Sequence, residues 1–296
     1  MVRSLILIAV LVASTGSARA GLIIDLTFLG GSAPGNLTGP GSLTSTMEAA
    51  AQVWELAYND ASVDHTLTIS YAWVNFLPSN VLGSHSFLSG GGDPFRQLSG
   101  QIVFNNSDFG FFADGTLDPL DPLNNGNEEY QTYRESEEDL GGGSMNRQRE
   151  FRDATGDAAG RYDLFTVALH EIGHALGMSS SNPSYTGETA IDNAINVTNP
   201  LPFAGSAIPT NNPGSGSFNA HVRVTGALMF PSIGAGIRKL PSAVDIIANA
   251  QLSQFLNPNY DLDNGTSVPE PSGLLVLAGA ALLMIRRRAQ AKALTA

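Results

Sequence analysis

The sequence predicts an α+β domain whose strand-like stretches fall early in the chain. Two observations carry this. Stretches with strand composition and alternation, Gly21 to Leu29, Thr66 to Phe76 and Gln101 to Asn105, fall early in the chain. Stretches with the helical period lie at Thr44 to Tyr58, Tyr162 to Gly177 and Ser242 to Phe255. The 296 residues suffice for one domain of about 150–250 residues with extensions.

In chain order, GLIIDLTFL (Gly21 to Leu29) is β-rich and reads as the first strand. Gly30 to Gly41 is a Gly/Pro/Asn/Ser loop. The helix from Thr44 to Tyr58 puts Met47, Ala50, Ala51, Trp54 and Tyr58 on one face, and Asn59-Asp60 ends it. In the next strand Leu67, Ile69 and Tyr71 share a face. QIVFN, Gln101 to Asn105, reads as a short core strand. The loop from Asn106 to Asp121 carries Asp108, Asp114, Asp118 and Asp121. Such oxygen-rich loops either hold a structural calcium ion or are simply solvated. Asn127 to Leu140 is polar and acidic and reads as a short surface helix before Gly141-Gly142-Gly143. Arg147, Arg149 and Arg152 read as a solvated face paired with Glu150 and Asp153.

Ser179 to Phe218 is rich in Asn, Pro, Gly and Ser, long enough to mark a functional loop or insertion. Ser242 is the N-cap of the last helix, with Asp245 three residues on. Residues 257–267 read as a linker. Asp261-Leu262-Asp263-Asn264-Gly265 resembles part of a calcium loop but lacks the downstream glutamate. The domain is thus expected over 21–256.

Both ends differ from this body. Arg3, the apolar run Leu5 to Ala13 and the small-residue ending Ala18-Arg19-Ala20 describe a secretory signal peptide over 1–20. At the other end, Val268-Pro269-Glu270-Pro271 precedes apolar Gly273 to Ile285 and then Arg286-Arg287-Arg288. Motif, apolar segment and basic cluster in that order resemble the PEP-CTERM sorting signal of Gram-negative bacteria, over 268–296. The resemblance implies export, removal of the tail by an exosortase, and delivery to the cell surface or extracellular matrix. The chain would touch the membrane only through the tail before processing.

Residues 21–270 hold 9 Lys and Arg against 27 Asp and Glu, a net −18, and the whole chain carries −12 because both ends are basic. So acidic a body argues against a nucleic-acid partner. There is no cysteine, so an exported form would rely on its core and on metals rather than disulfides.

The chemistry lies in YDLFTVALHEIGHALG, Tyr162 to Gly177. On a helix N-capped by Asp163, residues i and i+4 share a face, so His170 and His174 can offer two imidazoles to one zinc ion. Glu171 lies beside that face, where its carboxylate can serve as general base toward a water on the metal. Gly177 is suited to the left-handed turn of a helix C-cap.

H-E-x-x-H-x-x-G together with Ala227-Leu228-Met229-Phe230-Pro231 resembles the metzincin zinc peptidases, closest to the matrixin branch in FTVALHEIGHALG and ALMFP. The resemblance spans residues 160 to 256. It implies a metzincin-like α+β fold: a small twisted mixed sheet, an active-site helix, and a C-terminal helix after the Met-turn. It also implies zinc on His170 and His174, Glu171 as catalytic base, Gly177 as the turn toward a third ligand, and Met229 as an apolar floor. Where the usual spacing puts a third histidine, this chain has Ser180. Leishmanolysin-like metzincins delay that ligand with an insertion and place it before the Met-turn. This arrangement implies His221 here, with Asp192 as the reserve. His65 and His85 read as structural or surface residues, and Trp54 and Trp73 as core.

The expected function is an exported zinc endopeptidase acting on protein or peptide through a zinc-activated water. An edge strand, Gln101 to Asn105, would align the extended substrate. The competing expectation is a non-catalytic surface or matrix protein that keeps the fold.

Overall fold

The computed structural model describes residues 21–262 except 61–63, 76–77, 79, 108, 125, 199–200 and 212–219. Both terminal segments read above as signal peptide and sorting tail lie outside the described residues. Contacts join the chain into one unit as far as Tyr260. Among the described residues no helix is long and apolar enough to cross a membrane.

The described residues form an α+β fold with four helices and small sheets. In order the elements are β1 (Gly21–Phe28), α1 (Leu43–Ala57), β2 (Asp64–Val74), β3 (Gly83–Gly91), β4 (Arg96–Asn105) and β5 (Phe111–Phe112). Then come β6 (Tyr130–Asp139), β7 (Ser144–Ala154), β8 (Tyr162–Asp163), α2 (Leu164–Ala175) and α3 (Pro183–Thr189). The chain continues through β9 (Ala194–Asn196), β10 (Ala207–Pro209), β11 (Arg238–Lys239) and α4 (Ala243–Ser253).

The main sheet is mixed, in the order β1-β2-β4-β3: β1, β2 and β4 run parallel and β3 closes one edge antiparallel to β4. Alternation in β2 buries Leu67, Ile69, Tyr71 and Trp73. With Ile102 and Phe104 of β4 and the buried face of α1, which includes Met47, Ala50, Ala51 and Trp54, they form the core. Ser42 and Ser45 cap α1 reciprocally. The free edge of β1 is covered, since the Ile24 N–H donates to Glu55 Oε1 at 2.8 Å and the Leu22 N–H to the Tyr58 carbonyl at 3.0 Å.

Three sequence expectations change. Gln101 to Asn105 belongs to β4, which has a partner on each side; the edge strand is β3, whose Gly/Ser-rich sequence hides it. Tyr130–Asp139 is a strand, not a surface helix. It pairs antiparallel with β7 around the turn at Gly141-Gly142-Gly143. Arg149 is buried, donating to the Pro241 and Tyr260 carbonyls at 3.4 and 3.3 Å, and Glu150 is buried too, between Arg152 at 2.5 Å and Lys239 at 3.5 Å, so the expected solvated face loses both. The insertion is also more structured than its composition suggests: α3 and the β9–β10 hairpin lie within it. Past α4 the chain stays attached, with the Asn259 N–H on the Ala57 carbonyl at 2.7 Å.

The start of α2 is locked by a buried ion-pair cluster. Arg238 is fully buried, 2.9 Å from Asp163 Oδ1 and 2.9 Å from Asp114 Oδ2, and it also donates to the Gly126 carbonyl. Asp163 caps α2 with its other oxygen, accepting from the Thr166 N–H at 2.9 Å. Asp114, read above as a calcium candidate, is thus committed to Arg238 and to Thr116. Arg238→Ala strands two carboxylates in the interior. It should lower stability by about 3–5 kcal/mol, measured by urea unfolding; a loss below about 1 kcal/mol would mean that water replaces the guanidinium.

Candidate metal centre

α2 carries His170, Glu171 and His174 on buried turns, with Trp54 Nε1 donating to the Leu169 carbonyl at 3.0 Å to fix the helix against α1. A glycine inside a helix weakens it by roughly 0.5–1 kcal/mol relative to alanine. Gly173 has a packing reason: a Cβ there would lie 2.4 Å from Met229 Sδ. The fully buried Met229 therefore packs directly against α2 at the turn between the two histidines. Gly177 follows the end of α2 with φ +149, a positive-φ conformation but not the αL turn expected. A Cβ on it would meet Ser253 Oγ at 3.0 Å and Leu252 Cβ at 3.2 Å. Close passage past α4 is its second reason to be glycine.

His221 comes to the same place from outside the helix. Its carbonyl accepts from the Asn211 N–H at 3.0 Å, and the next N–H, of Val222, donates to the Met229 carbonyl at 3.1 Å. The three Nε2 atoms converge: His170 lies 3.1 Å from His221 and 3.1 Å from His174. Among the described residues this is the one group of three His, Cys, Asp or Glu side chains so gathered.

The His170–His174 contact is not a hydrogen bond. His170 Nδ1 lies 2.8 Å from the Leu228 carbonyl and His174 Nδ1 lies 2.6 Å from the Met178 carbonyl. A carbonyl only accepts, so both Nδ1 atoms carry the proton and both Nε2 atoms present lone pairs. Lone pairs facing each other at 3.1 Å call for a cation between them. A tetrahedral zinc ion with Zn–N bonds of about 2.0–2.1 Å holds its ligand nitrogens about 3.3 Å apart, so the set fits. Burial, and then repulsion from His221, push His170 down to about 3. Burial, then His170 and His221, hold His174 well below the usual histidine range. His170 and His174 are therefore neutral, as ligands must be.

The supporting shell reaches into α4. Asp245 accepts from the Met229 N–H at 2.8 Å, the Leu228 N–H at 3.0 Å and the Ser242 hydroxyl at 2.6 Å. It fixes the turn whose Leu228 carbonyl orients His170. The sequence marks Asp245 only as a capping residue.

Glu171 is nearly buried beside the triad, in space left by Gly83 of β3, where a Cβ would lie 3.0 Å from Glu171 Oε1. Burial pushes its carboxyl up to about 8, with the His85 backbone N–H pulling the other way. A carboxyl so poised can hold or release a proton near neutral pH. Triad and glutamate open on a cleft of about 610 Å³, walled by β3 and the segment before it and by Tyr162, Phe109, Pro231 and Ile233.

Ser180 lines this cleft but is not in the triad, so Ser180→Ala should leave zinc affinity and turnover within about twofold. Loss of zinc on titration against a chelator would reverse that. Asp192 is engaged elsewhere, accepting from the Ala194 N–H and Asn196 Nδ2, both at 3.1 Å. His85, read as structural or surface, lies in the cleft wall; His65 is buried against Phe255. No protein-family model, curated protein or solved structure matches this chain.

Proposed function

We propose that the protein is a zinc-dependent endopeptidase of metzincin-like architecture, exported and sorted through its PEP-CTERM-type tail. One observation supports this above the others: three histidine nitrogens, two of them with inward lone pairs, meet in a cleft beside a buried glutamate. A purely structural metal site needs no general base and no cleft.

His170, His174 and His221 would hold the ion, leaving a position for water or substrate. When bound, zinc supplies a Lewis acid that polarises a carbonyl and lowers the pKa of a water toward about 7. Glu171 takes the proton from the attacking water and returns it to the leaving amine. β3 offers the unpaired edge along which an extended peptide can add as a further strand. Tyr162 and Phe109 contribute apolar surface to the cleft wall.

The test is hydrolysis of unfolded casein by the purified protein loaded with zinc. Activity removed by a chelator and restored by zinc is expected. A folded sample holding one zinc that cuts neither casein nor other unfolded proteins would instead favour a surface or matrix protein that keeps the site without the activity.

A further inference from the structure

One polar side chain in the cleft wall, His85, is unused by the chemistry above. His85 of β3 and Gln97 of β4 lie side by side, Nε2 to Nε2, at 2.9 Å. His85 pairs in register with the fully buried Ile102, so its side chain shares the sheet face turned toward α2. Gly100 makes the space: a Cβ there would lie 2.3 Å from Gln97 Nε2 and 2.9 Å from His85 Nε2. The His85 ring lies parallel to that of His174, centroids 6.4 Å apart, and lines the same cleft as the triad and Glu171.

Gln97 is 2 % exposed and its Oε1 has no partner. Turning the amide over would instead orphan two buried N–H hydrogens, the worse arrangement. Gln97 therefore donates, and His85 Nε2 accepts. A neutral imidazole accepting at Nε2 carries its proton on Nδ1. Among the described residues no acceptor takes that proton. A buried amide thus fixes the tautomer of a half-buried histidine whose one donor is left for something in the cleft.

We infer that His85 is a substrate-binding residue whose Nδ1–H donates to a backbone carbonyl of an extended peptide lying along β3. The inference rests on the peptidase reading. Gly83 touches Glu171, the base at the scissile bond, and the His85 backbone N–H bonds that same carboxyl, which places the His85 side chain beside the substrate backbone next to the scissile bond. The carbonyl it takes is therefore a neighbour of the scissile one, and its loss acts on binding rather than on the chemical step.

The test uses the full chain, zinc-loaded, with fluorescein-labelled casein as probe. KM and kcat are measured in the active protein, and binding by anisotropy in a Glu171→Ala background. His85→Phe keeps a ring beside His174 and removes the donor; KM and the dissociation constant should rise about 3–10-fold, with kcat and zinc content within twofold. His85→Asn, which restores a donor, should recover most of the loss. Gln97→Met leaves the imidazole in place and frees both tautomers, so binding should weaken about twofold even if the phenylalanine variant fails to fold. Unchanged KM in His85→Phe and in Gln97→Met, or loss of zinc with the ring change, would overturn the inference and leave His85 a packing residue. If the wild type cuts casein in those same assays, only this inference falls. If it neither cuts nor binds casein, the peptidase reading falls and takes this one with it.

Discussion

Glu171→Ala is expected to lower casein hydrolysis by about 10²–10⁴-fold while the protein keeps its zinc. The carboxylate lies beside the three converging nitrogens but is not one of them, so its removal takes away a proton carrier and no ligand. Zinc content by elemental analysis and kcat/KM separate the two effects. A variant that keeps wild-type turnover would assign the base to another group; one that loses its zinc would make Glu171 a ligand. The same residue predicts a pH dependence in the zinc-free protein. Its carboxyl is pushed up to about 8 in the fold against an ordinary value of 4.5, so the folded state binds the proton more tightly. Between those values the fold holds a proton that the unfolded chain has released, and stability falls as pH rises. Glu171→Ala should flatten that slope in thermal melts of the zinc-free form.

His221→Ala should weaken zinc by more than the about 10–100-fold typical of losing an outer-shell partner, because on the proposed reading it removes one of three direct ligands. Competition with a chelator of known affinity reads this directly, and hydrolysis should fall with occupancy. Asp192→Ala is the matched control and should hold zinc normally, since both its oxygens serve β9 and the turn before it. Retained zinc in His221→Ala with loss in Asp192→Ala would exchange the two assignments. A melting temperature that no longer rises on adding zinc to His221→Ala is the corroborating sign, because the ion would bind the folded chain, where His174 and His221 meet across the insertion, and not the unfolded one.

The site was partly legible in the sequence because its spacing is a helix property. His170 and His174 follow from four residues per turn of one continuous segment, and the Asp163 cap and Gly177 bound it. His221 has no such local rule. Its approach depends on the β9–β10 hairpin and on the Val222–Met229 pairing, contacts between segments that sequence periodicity does not encode. β3 was hidden because Gly83 to Gly91 carries few apolar residues, its Gly83 chosen for clearance beside Glu171 and not for strand propensity. β6 was misread for the opposite reason. Nearly every side chain after Tyr130 is exposed, so no inward face marks the strand, and its glutamates favour a helix. His85 could have been suspected from nothing local. Its partner Gln97 and the space at Gly100 belong to the neighbouring strand.

An unpaired strand edge is a template for any extended chain, another copy of this protein included. β3 stays in simple register with β4 only from Gly83 to Phe87; at Leu88 the ladder slips, and Leu88 stands 60 % exposed with no partner opposite. A regular edge of five residues suits one short guest. Two copies aligning edge to edge would meet each other's slip and the added twist that such a bulge imposes, which cuts the ladder before it can extend. The irregularity limits how far such edge-to-edge pairing could run.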